Sequence, residues 1–522
     1  MAEKALDNLD VWREILGYLE VSLDIDDPAV VREKRKAALA VALLSPNLTQ
    51  LGLDTLWKAM TTLVPIAHVT NTWNDGAVHY LEYDQHTSSS LGSWYLNQPI
   101  VDQAHRLYVA TYLQRIRTLH IHVSQMEQEL WHVIFVMLHP ISVVPLPNIR
   151  HLVLHIKGSG ILLLGSAVTH LLSSTLTSIT LVGPSSRNST TAQNYIRSHH
   201  LPELTEMVYR DGNLGAIPDG IQQFRKLRCL RIVDESNFIE FGHDLLGTLN
   251  SLAGLEELQI YLGRRNGFTF TDLKGDLRLP NLCIFRLTVS TPLVLTPLLL
   301  GAHLPHLHTL SVVAIDDPGD MLNPKHIFSH VSGLSSLEHL YFQIQVRSRP
   351  TSRVLAREDK ESSWNPLLAP LKKLRTVQFI DVPHKLTQGV LGTILHSLPR
   401  LQELSMDYPN LPCALIPSST LIPLARAPEI HRITLPIDFA FLTNPLPPHT
   451  TPSFSHLTEL KCCQSRGIPA QGAKKIIVLR NLLFLFPNIK WIVSDHDEDG
   501  RIAELHELLI SFRQLLTDHS TW

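Results

Sequence analysis

The chain contains few cysteines and carries almost no net charge. Five cysteines among 522 residues are too few, and odd in number, for a disulfide framework, so they indicate a reducing compartment. The formal net charge of −3 gives no support for the basic face or stripe that dedicated nucleic-acid binders carry. We therefore expect no nucleic-acid partner.

Long hydrophobic runs are also missing. A membrane-spanning helix needs roughly 18 consecutive apolar residues, whereas the strongest candidate covers only residues 476–486 and contains Arg480. The first ten residues, MAEKALDNLD, hold no apolar core of a secretory signal. These features predict a soluble intracellular protein, in the cytoplasm, the nucleus or both, without a membrane partner.

Leucine, in contrast, is abundant. About one residue in six is a leucine, while charged residues make up only 18% of the chain. Such a composition can bury a large core and excludes wholesale disorder, which needs few apolar residues and a high net charge. At roughly 100–200 residues per domain, the length allows two to four ordinary domains or one long repeat array.

A pattern of apolar positions recurs from residue 113 onward. Segments such as LQRIRTLHI, LPNIRHLVL, LPHLHTLSV and LPRLQELSM share the form apolar-x-x-apolar-x-x-apolar-x-apolar. The third apolar position falls at Leu119, Leu152, Ile179, Met207, Leu230, Leu258, Phe285, Leu310, Leu340, Val377, Leu404, Ile433, Leu460 and Ile492. The mean interval is about 29 residues, at the upper end of the leucine-rich-repeat period.

This repeat predicts an α/β fold, a leucine-rich-repeat solenoid. Stretches between the copies, such as residues 241–252 and 386–398, have helical spacing. Each period would supply one strand and one helix, with parallel strands on the concave face and helices outside. Residues 113–522 would then form a solenoid of about 14 repeats.

The first 62 residues lack the repeat, and their spacing predicts three short helices. These cover residues 11–19, 30–44 and 47–60. A unit of this size is too small to be securely stable alone, so we expect it to pack on the solenoid or on a partner. Residues 63–112 form the segment that joins it to the solenoid.

This helical segment resembles an F-box. DVWREILGYL, followed by ALAVALLSPNLTQLGLDTLWKAM, matches the F-box outline at Val11, Ile15, Leu16, Leu19, Leu56 and Trp57. It departs from that outline at Asp7-Asn8, where the family has Leu-Pro, and at Leu48, where a tryptophan often stands. An F-box followed by leucine-rich repeats is similar to a large class of proteins in mushroom-forming fungi.

The resemblance implies a role in ubiquitin ligation. In the family, the box docks on a Skp-type adaptor, which bridges to a cullin-based ubiquitin ligase, and the repeats select the target. It therefore implies that the six matching residues contact the adaptor and that the solenoid binds an unknown protein substrate. The chemistry would belong to the partners, so the chain itself would not be an enzyme.

Two alternatives remain open. Residues 1–62 can instead be the helical cap that a solenoid needs on its first repeat. The protein would then be a leucine-rich-repeat scaffold or inhibitor. A third, more distant hypothesis is a repeat-built hydrolase or GTPase regulator that uses an arginine on a loop.

Side chains that flank the buried strand positions would line the concave face. The candidates for substrate contact are His120, His151, Arg210, Arg231, Arg286, Tyr341 and Glu403. Histidine dominates the N-terminal end of this strip, the middle is basic, and the remainder is neutral or acidic. A mixed strip suits a protein or peptide partner better than a polyanion.

The sequence predicts no metal, cofactor or catalytic site. The spacings His120-x-His122 and His303-x-x-His306-x-His308 lack the neighbouring cysteines or carboxylates of a structural zinc site. No nucleophile elbow, phosphate-binding loop with a lysine or H-E-x-x-H motif occurs. In the pair Cys462-Cys463, the first is predicted to face the core and the second to point outward.

One acidic stretch resembles a calcium loop. From Asp495 to Gly500, carboxylates occupy the first, third and fifth positions and glycine the sixth, as in an EF-hand. His506, however, stands at the twelfth position, where a bidentate glutamate is needed. We therefore expect an acidic loop at the N-terminus of a following helix rather than a calcium site.

Overall fold

The computed structural model describes most of the chain, with gaps. The described residues are 9–23, 26–71, 81–84, 93–96, 103–123, 125–138, 146–156, 171–183, 196, 199–210, 221–233, 245–262, 276–289, 298–299, 301–316, 324–346, 364–382, 387–408, 415–444, 446, 455–463, 467–494 and 500–520. The chain divides into two compact units, Met1–Gly254 and Leu255–Trp522. Within the described ranges, every helix is too short or too polar to cross a membrane.

The first unit begins with helices and continues as alternating strands and helices. Its helices are α1 (Leu9–Tyr18), α2 (Pro28–Leu44), α3 (Pro46–Trp57), α4 (Val64–Asn71), α5 (Gln103–Leu113), α6 (Gln125–Leu138) and α7 (Leu245–Asn250). Its strands are β1 (Ala59–Met60), β2 (Leu81–Asp84), β3 (Ser93–Leu96), β4 (Thr118–Val123), β5 (His151–Ile156), β6 (Ser178–Val182), β7 (Glu206–Arg210) and β8 (Cys229–Val233).

Capping residues and prolines set the start of α2 and its boundary with α3. Pro28 occupies the first turn of α2, where its missing N–H costs nothing, and Asp27 accepts a hydrogen bond from the Ala29 N–H at 2.8 Å. Ser45 is extended (φ −158°, ψ 154°) and ends α2, and Pro46 opens α3 at the next residue. The turn between the two helices is therefore a single residue.

The three N-terminal helices share a small apolar core of their own. Leu16 of α1, Ala38 and Val41 of α2, and Leu48 of α3 are buried together. Trp12, Leu19, Leu51 and Leu56 pack against this cluster and are partly buried. Arg35 ties α2 to β1 by donating to the Ala59 carbonyl at 2.8 Å, and burial lowers the pKa of this guanidinium.

The strands of the first unit form a parallel sheet in the order β1-β4-β5-β6-β7-β8, and β2 pairs with β3 as an antiparallel hairpin. The predicted third apolar positions are register partners, because Leu119 pairs with Leu152, Leu152 with Ile179, Ile179 with Met207, and Met207 with Leu230. β1 pairs Met60 with Leu119 in the same register. The sheet thus begins at Ala59, three residues before the end of the predicted helical segment.

The second unit continues the alternation. Its helices are α8 (Pro324–Val331), α9 (Asn365–Leu368), α10 (Gln388–Ser397), α11 (Leu421–Ala425), α12 (Gly472–Leu485) and α13 (Arg501–Ser520). Its strands are β9 (Glu257–Leu262), β10 (Ile284–Val289), β11 (Thr309–Asp316), β12 (His339–Val346), β13 (Thr376–Ile380), β14 (Glu403–Asp407), β15 (Ile416–Pro417), β16 (Arg432–Leu435), β17 (Ile437–Asp438), β18 (Glu459–Cys462) and β19 (Trp491–Val493).

The strands of the second unit pair in parallel in the order β9-β10-β11-β12-β13-β14-β16-β18-β19. β15 and β17 form a separate two-stranded pair. The third apolar positions again share one register, from Leu258 with Phe285 at the start to Leu460 with Ile492 at the end. All of them are buried, so the predicted leucine-rich-repeat core is confirmed.

A backbone ladder runs beside the strands. Within each unit, the carbonyl oxygen just before a strand accepts two N–H groups of the next repeat. The Lys58 oxygen accepts from Arg117 and Thr118, each at 2.9 Å, and the Thr458 oxygen accepts from Lys490 at 2.8 Å and Trp491 at 3.0 Å. These bonds use only main-chain groups, so they do not depend on which side chains stand at the start of each strand.

Candidate interaction surfaces

Helix α1 has two apolar faces. Leu16 is 2% exposed and lies in the small core, whereas Val11, Ile15 and Tyr18 are 42%, 40% and 77% exposed. At about 100° per residue, these three side chains fall within roughly 60° of one another and about 100° or more from Leu16. A helix that packs on one side only would carry polar residues there. We call Val11, Ile15 and Tyr18 the apolar stripe.

Of the six residues that match the F-box outline, three lie on α1, Leu19 directly follows α1, and two lie on α3; they differ in exposure. Val11 and Ile15 reach the surface, while Leu19 and Leu56 are half-buried against the small core. Leu16 and Trp57 are buried, and the Trp57 ring meets the edge of Tyr112 with centroids 5.1 Å apart. The sequence pattern missed Tyr18, and it also missed the exposed apolar residues of α2, which are Val30, Leu39, Leu43 and Leu44.

A polar cleft of about 560 Å³ lies between α1, α3 and the end of α5. Its carboxylates already have partners, since Glu20 pairs with Lys58 and Asp54 pairs with Arg115. The Arg115 guanidinium also donates to the Gln50 side-chain oxygen at 2.6 Å. The contacts of Arg115 with Asp54 and Gln50 join the helical segment to the first repeat.

In each unit, the strand side chains that alternate with the buried ones form what we call the polar face. In the first unit it carries four of the predicted substrate contacts, His120, His151, Arg210 and Arg231. His151 and Arg210 are exposed, Arg231 is half-buried and lies 3.4 Å from the Glu206 carboxylate, and His120 is nearly buried. His122 and His155 stack beside them, with ring centroids 4.4 Å apart.

The polar face of the second unit carries the other three, Arg286, Tyr341 and Glu403. Arg286 is exposed and donates to Glu257 at 2.7 Å, and Glu403 accepts from the Gln378 amide at 2.8 Å. Burial and the nearby negative charge of Glu403 raise the pKa of Tyr341. The three residues are on separate strands, and two of them already bind polar neighbours of the same face.

Charges near the end of this face are also paired. Arg432 donates to Glu459 at 2.9 Å and lies 3.8 Å from Glu403, and the hydrogen bond to Glu459 raises the pKa of the arginine further. Lys461 lies 3.5 Å from Asp407. Since both cations are matched by carboxylates, this region offers no open basic site.

The last strand of that face carries two exposed apolar residues that the sequence pattern did not predict. Trp491 and Val493 are 53% and 37% exposed, while Ile492 between them is buried. Trp491 stacks on His506 of α13 with centroids 5.4 Å apart, and the Ile492 N–H donates to the Nδ1 atom of that histidine at 3.4 Å. The sequence signal for this surface was Trp491 itself, which stands in FPNIKWIVS directly before Ile492, the third apolar position of the last repeat.

The prediction that Cys463 points outward is wrong. Its side chain is fully buried, and its thiol donates to the Met406 carbonyl at 3.1 Å. Strand β18 ends at Cys462, so the alternation of faces that places Cys462 inward no longer applies to the next residue. Both cysteines therefore belong to the core.

Metal ligands do not cluster in the described part of the chain, where no group of three or more histidine, cysteine or acidic side chains is close enough to hold an ion. His303, His306 and His308 are all exposed. In the acidic stretch, Asp495 to Asp499 lie outside the described residues, so the absence of calcium binding stays a prediction. Gly500 (φ +65°) directly precedes α13.

Comparisons with known proteins find only distant structural similarity. No protein-family model and no curated protein matches the chain. Among solved structures, it is similar to TLR13 in a complex with ssRNA13, with 15% identity over 74% of this chain and a TM-score of 0.40. The chain spans about half of that TLR13 chain, at 51%.

Two bacterial structures are similar as well. One is an internalin, InlF from Listeria monocytogenes, with 14% identity, 74% of this chain and 89% of that chain covered, and a TM-score of 0.38. The other is the leucine-rich-repeat protein LIC12759 of Leptospira interrogans, with 13% identity, 76% and 93% covered, and a TM-score of 0.35. The fold assignment itself rests on the register of the strands described above.

Proposed function

We propose that the chain is the substrate-recognition subunit of a Skp-cullin-F-box ubiquitin ligase in the cytoplasm, the nucleus or both. Residues 1–62 would bind a Skp-type adaptor and through it a cullin, and residues 113–522 would bind the target protein. Ubiquitin transfer would take place on the partners, so the chain needs no cofactor or catalytic residue of its own.

The observation that carries this proposal is the apolar stripe of α1. Exposed apolar surface costs about 25 cal/mol per Å² relative to burial, so three such side chains on one helix face favour a partner that covers them. The stripe includes Val11 and Ile15, two of the residues that match the F-box outline.

The six matching residues would then divide their roles. Val11 and Ile15 would touch the adaptor, because they are exposed. Leu16 and Trp57 would hold the helices in place, because they are buried. Leu19 and Leu56 pack against the small core and would support the contact surface from beneath.

The test is the affinity of the full chain for a recombinant Skp-type adaptor, measured by isothermal titration calorimetry. Ile15→Lys should weaken binding at least about 100-fold, since an unpaired charge in a desolvated contact costs several kcal/mol. Val136→Lys is the matched control, because Val136 is 52% exposed on α6, away from the stripe. Wild-type affinity for the Ile15→Lys chain would refute the adaptor role of the stripe.

A second candidate function is a scaffold or inhibitor whose N-terminal helices only cap the solenoid. What favours it is the joint between helices and sheet, since Lys58 provides the first rung of the backbone ladder and β1 pairs with β4. In this case the unmodified chain would not bind the adaptor. Leu16→Ala would unfold the first repeats, and Ile15→Lys would change nothing.

A further inference from the structure

The polar face of the second unit ends in an apolar patch. Trp491 and Val493 are the register partners of Glu459 and Lys461 on the preceding strand, so both side chains lie on the same face as these charged groups. His506 backs the tryptophan ring, and Ile510, one helical turn further along α13, is 41% exposed. We call Trp491, Val493 and Ile510 the terminal patch.

The terminal patch differs from the rest of that face. Along the row of Trp491, the three preceding register partners are Glu459, Arg432 and Glu403. Along the row of Val493, they are Lys461, Thr434 and Ser405. An exposed tryptophan beside polar neighbours has the composition of a binding hot spot, in which an aromatic side chain is surrounded by a polar rim.

The charges beside the terminal patch favour a cation. The polar face of β14, β16 and β18 carries three carboxylates, those of Glu403, Asp407 and Glu459, but only two cations, Arg432 and Lys461. Each cation already lies against a carboxylate. On these three strands an added acidic group would meet like charge, since both cations are already paired, whereas an added basic group would meet the excess carboxylate.

We propose that the terminal patch and the adjoining carboxylates bind a protein segment in which a large apolar residue stands next to a lysine or arginine. The apolar side chain packs on Trp491 and Val493, and the basic group reaches Glu459, the carboxylate on the neighbouring strand. This inference rests on the proposed function of the solenoid as the target-binding part, and it is independent of adaptor binding by α1.

The experiment selects peptides on the immobilised full chain from a displayed library of random dodecamers. Selected peptides should pair a large apolar residue with lysine or arginine. Trp491→Ala should weaken their binding at least tenfold in fluorescence anisotropy, and Val493→Lys should do the same. Ile476→Ala is the control, since Ile476 is 59% exposed on α12 in the same unit, and it should retain full affinity.

A second pair of variants tests the charge. Glu459→Gln should reduce the preference for basic over neutral peptides several-fold, whereas Glu429→Gln, at an exposed position before β16, should leave it unchanged. Circular dichroism and adaptor affinity are measured on every variant, so a failure of the site is distinguishable from a failure of folding or of the adaptor role. Selection of acidic peptides, no selection above a bare surface, or equal binding by a folded Trp491→Ala chain would overturn the proposal.

Discussion

Gly52→Ala should push α2 and α3 apart, because their close packing requires that residue 52 has no side chain. A Cβ atom at Gly52 would lie 2.6 Å from the Ala42 Cβ and 2.7 Å from both the Cα and the N of Ala42. Carbon atoms in contact prefer about 3.5–4.0 Å, so α2 and α3 would have to move apart by about 1 Å. Two of the three opposing atoms are backbone, which cannot swing aside as a flexible side chain would.

The expected net effect is a destabilisation of about 2 kcal/mol. Overpacking typically costs 1–3 kcal/mol, and a backbone clash puts this site near about 3. Alanine is better than glycine in a helix by about 1 kcal/mol, which offsets part of the strain. Gly392→Ala, in the middle of α10, is the matched control, because no atom lies within 4 Å of the added Cβ and only the gain of about 1 kcal/mol remains.

Hydrogen exchange measured peptide by peptide reports each helix separately. Amides of α2 and α3 should exchange about 30-fold faster in Gly52→Ala, and those of α10 about fivefold slower in Gly392→Ala. Adaptor affinity should fall in the first variant only, since α2 and α3 support the helix that bears the apolar stripe. If Gly52→Ala slows exchange as Gly392→Ala does, the close approach of the two helices is refuted.

Three further predictions concern Asp26, Tyr408 and the cysteines. The Lys34 ammonium and, to a lesser extent, the Ser22 N–H donate to the Asp26 carboxylate, both at 2.8 Å, and lower the pKa of Asp26. The stabilisation by Asp26 is therefore fully present above the pKa of an unfolded aspartate, and it is lost as the pH falls through the lower pKa of Asp26 in the folded protein. Titration by NMR should show this low pKa, and Lys34→Met should raise it; an unchanged value would contradict the pairing. Tyr408→Phe should cost about 1–2 kcal/mol in urea unfolding, because the buried hydroxyl donates to the Val382 carbonyl at 2.9 Å, and an unshifted midpoint would argue against that bond. Under native conditions a thiol reagent should modify the half-buried Cys229 and Cys283 and spare Cys462 and Cys463, and mass spectrometry that finds Cys463 labelled would show the core assignment to be wrong.

The sequence predicts the strands well because the same burial recurs in every repeat. Leu310, Leu340 and Val377, for example, come from the apolar pattern alone and are register partners in the sheet. A residue buried once per period leaves a periodic trace that needs no knowledge of the third dimension. The spacing at residues 11–19 likewise predicts a helix, and α1 spans Leu9–Tyr18.

Surfaces are harder to predict, since they depend on which side of an element meets its neighbours. Ile15 and Leu16 are adjacent apolar residues in the F-box outline, and only the docking of α1 on α3 determines that one is exposed and the other buried. Cys463 follows the last residue of its strand, where alternation stops. Trp491 is exposed beside a residue of the periodic core, and periodicity says nothing about its neighbours on the polar face.

The two-residue strand β1 has a consequence for the integrity of the sheet. It covers the first two residues of β4, and with the Lys58 carbonyl it occupies the N–H groups at the start of that edge. An uncovered strand edge is a template for pairing with another chain. Proteolysis between α3 and α4 would therefore do more than detach the helical segment. It would weaken the pairing of β1 with β4 and leave the edge of the parallel sheet open to association with other copies of the chain.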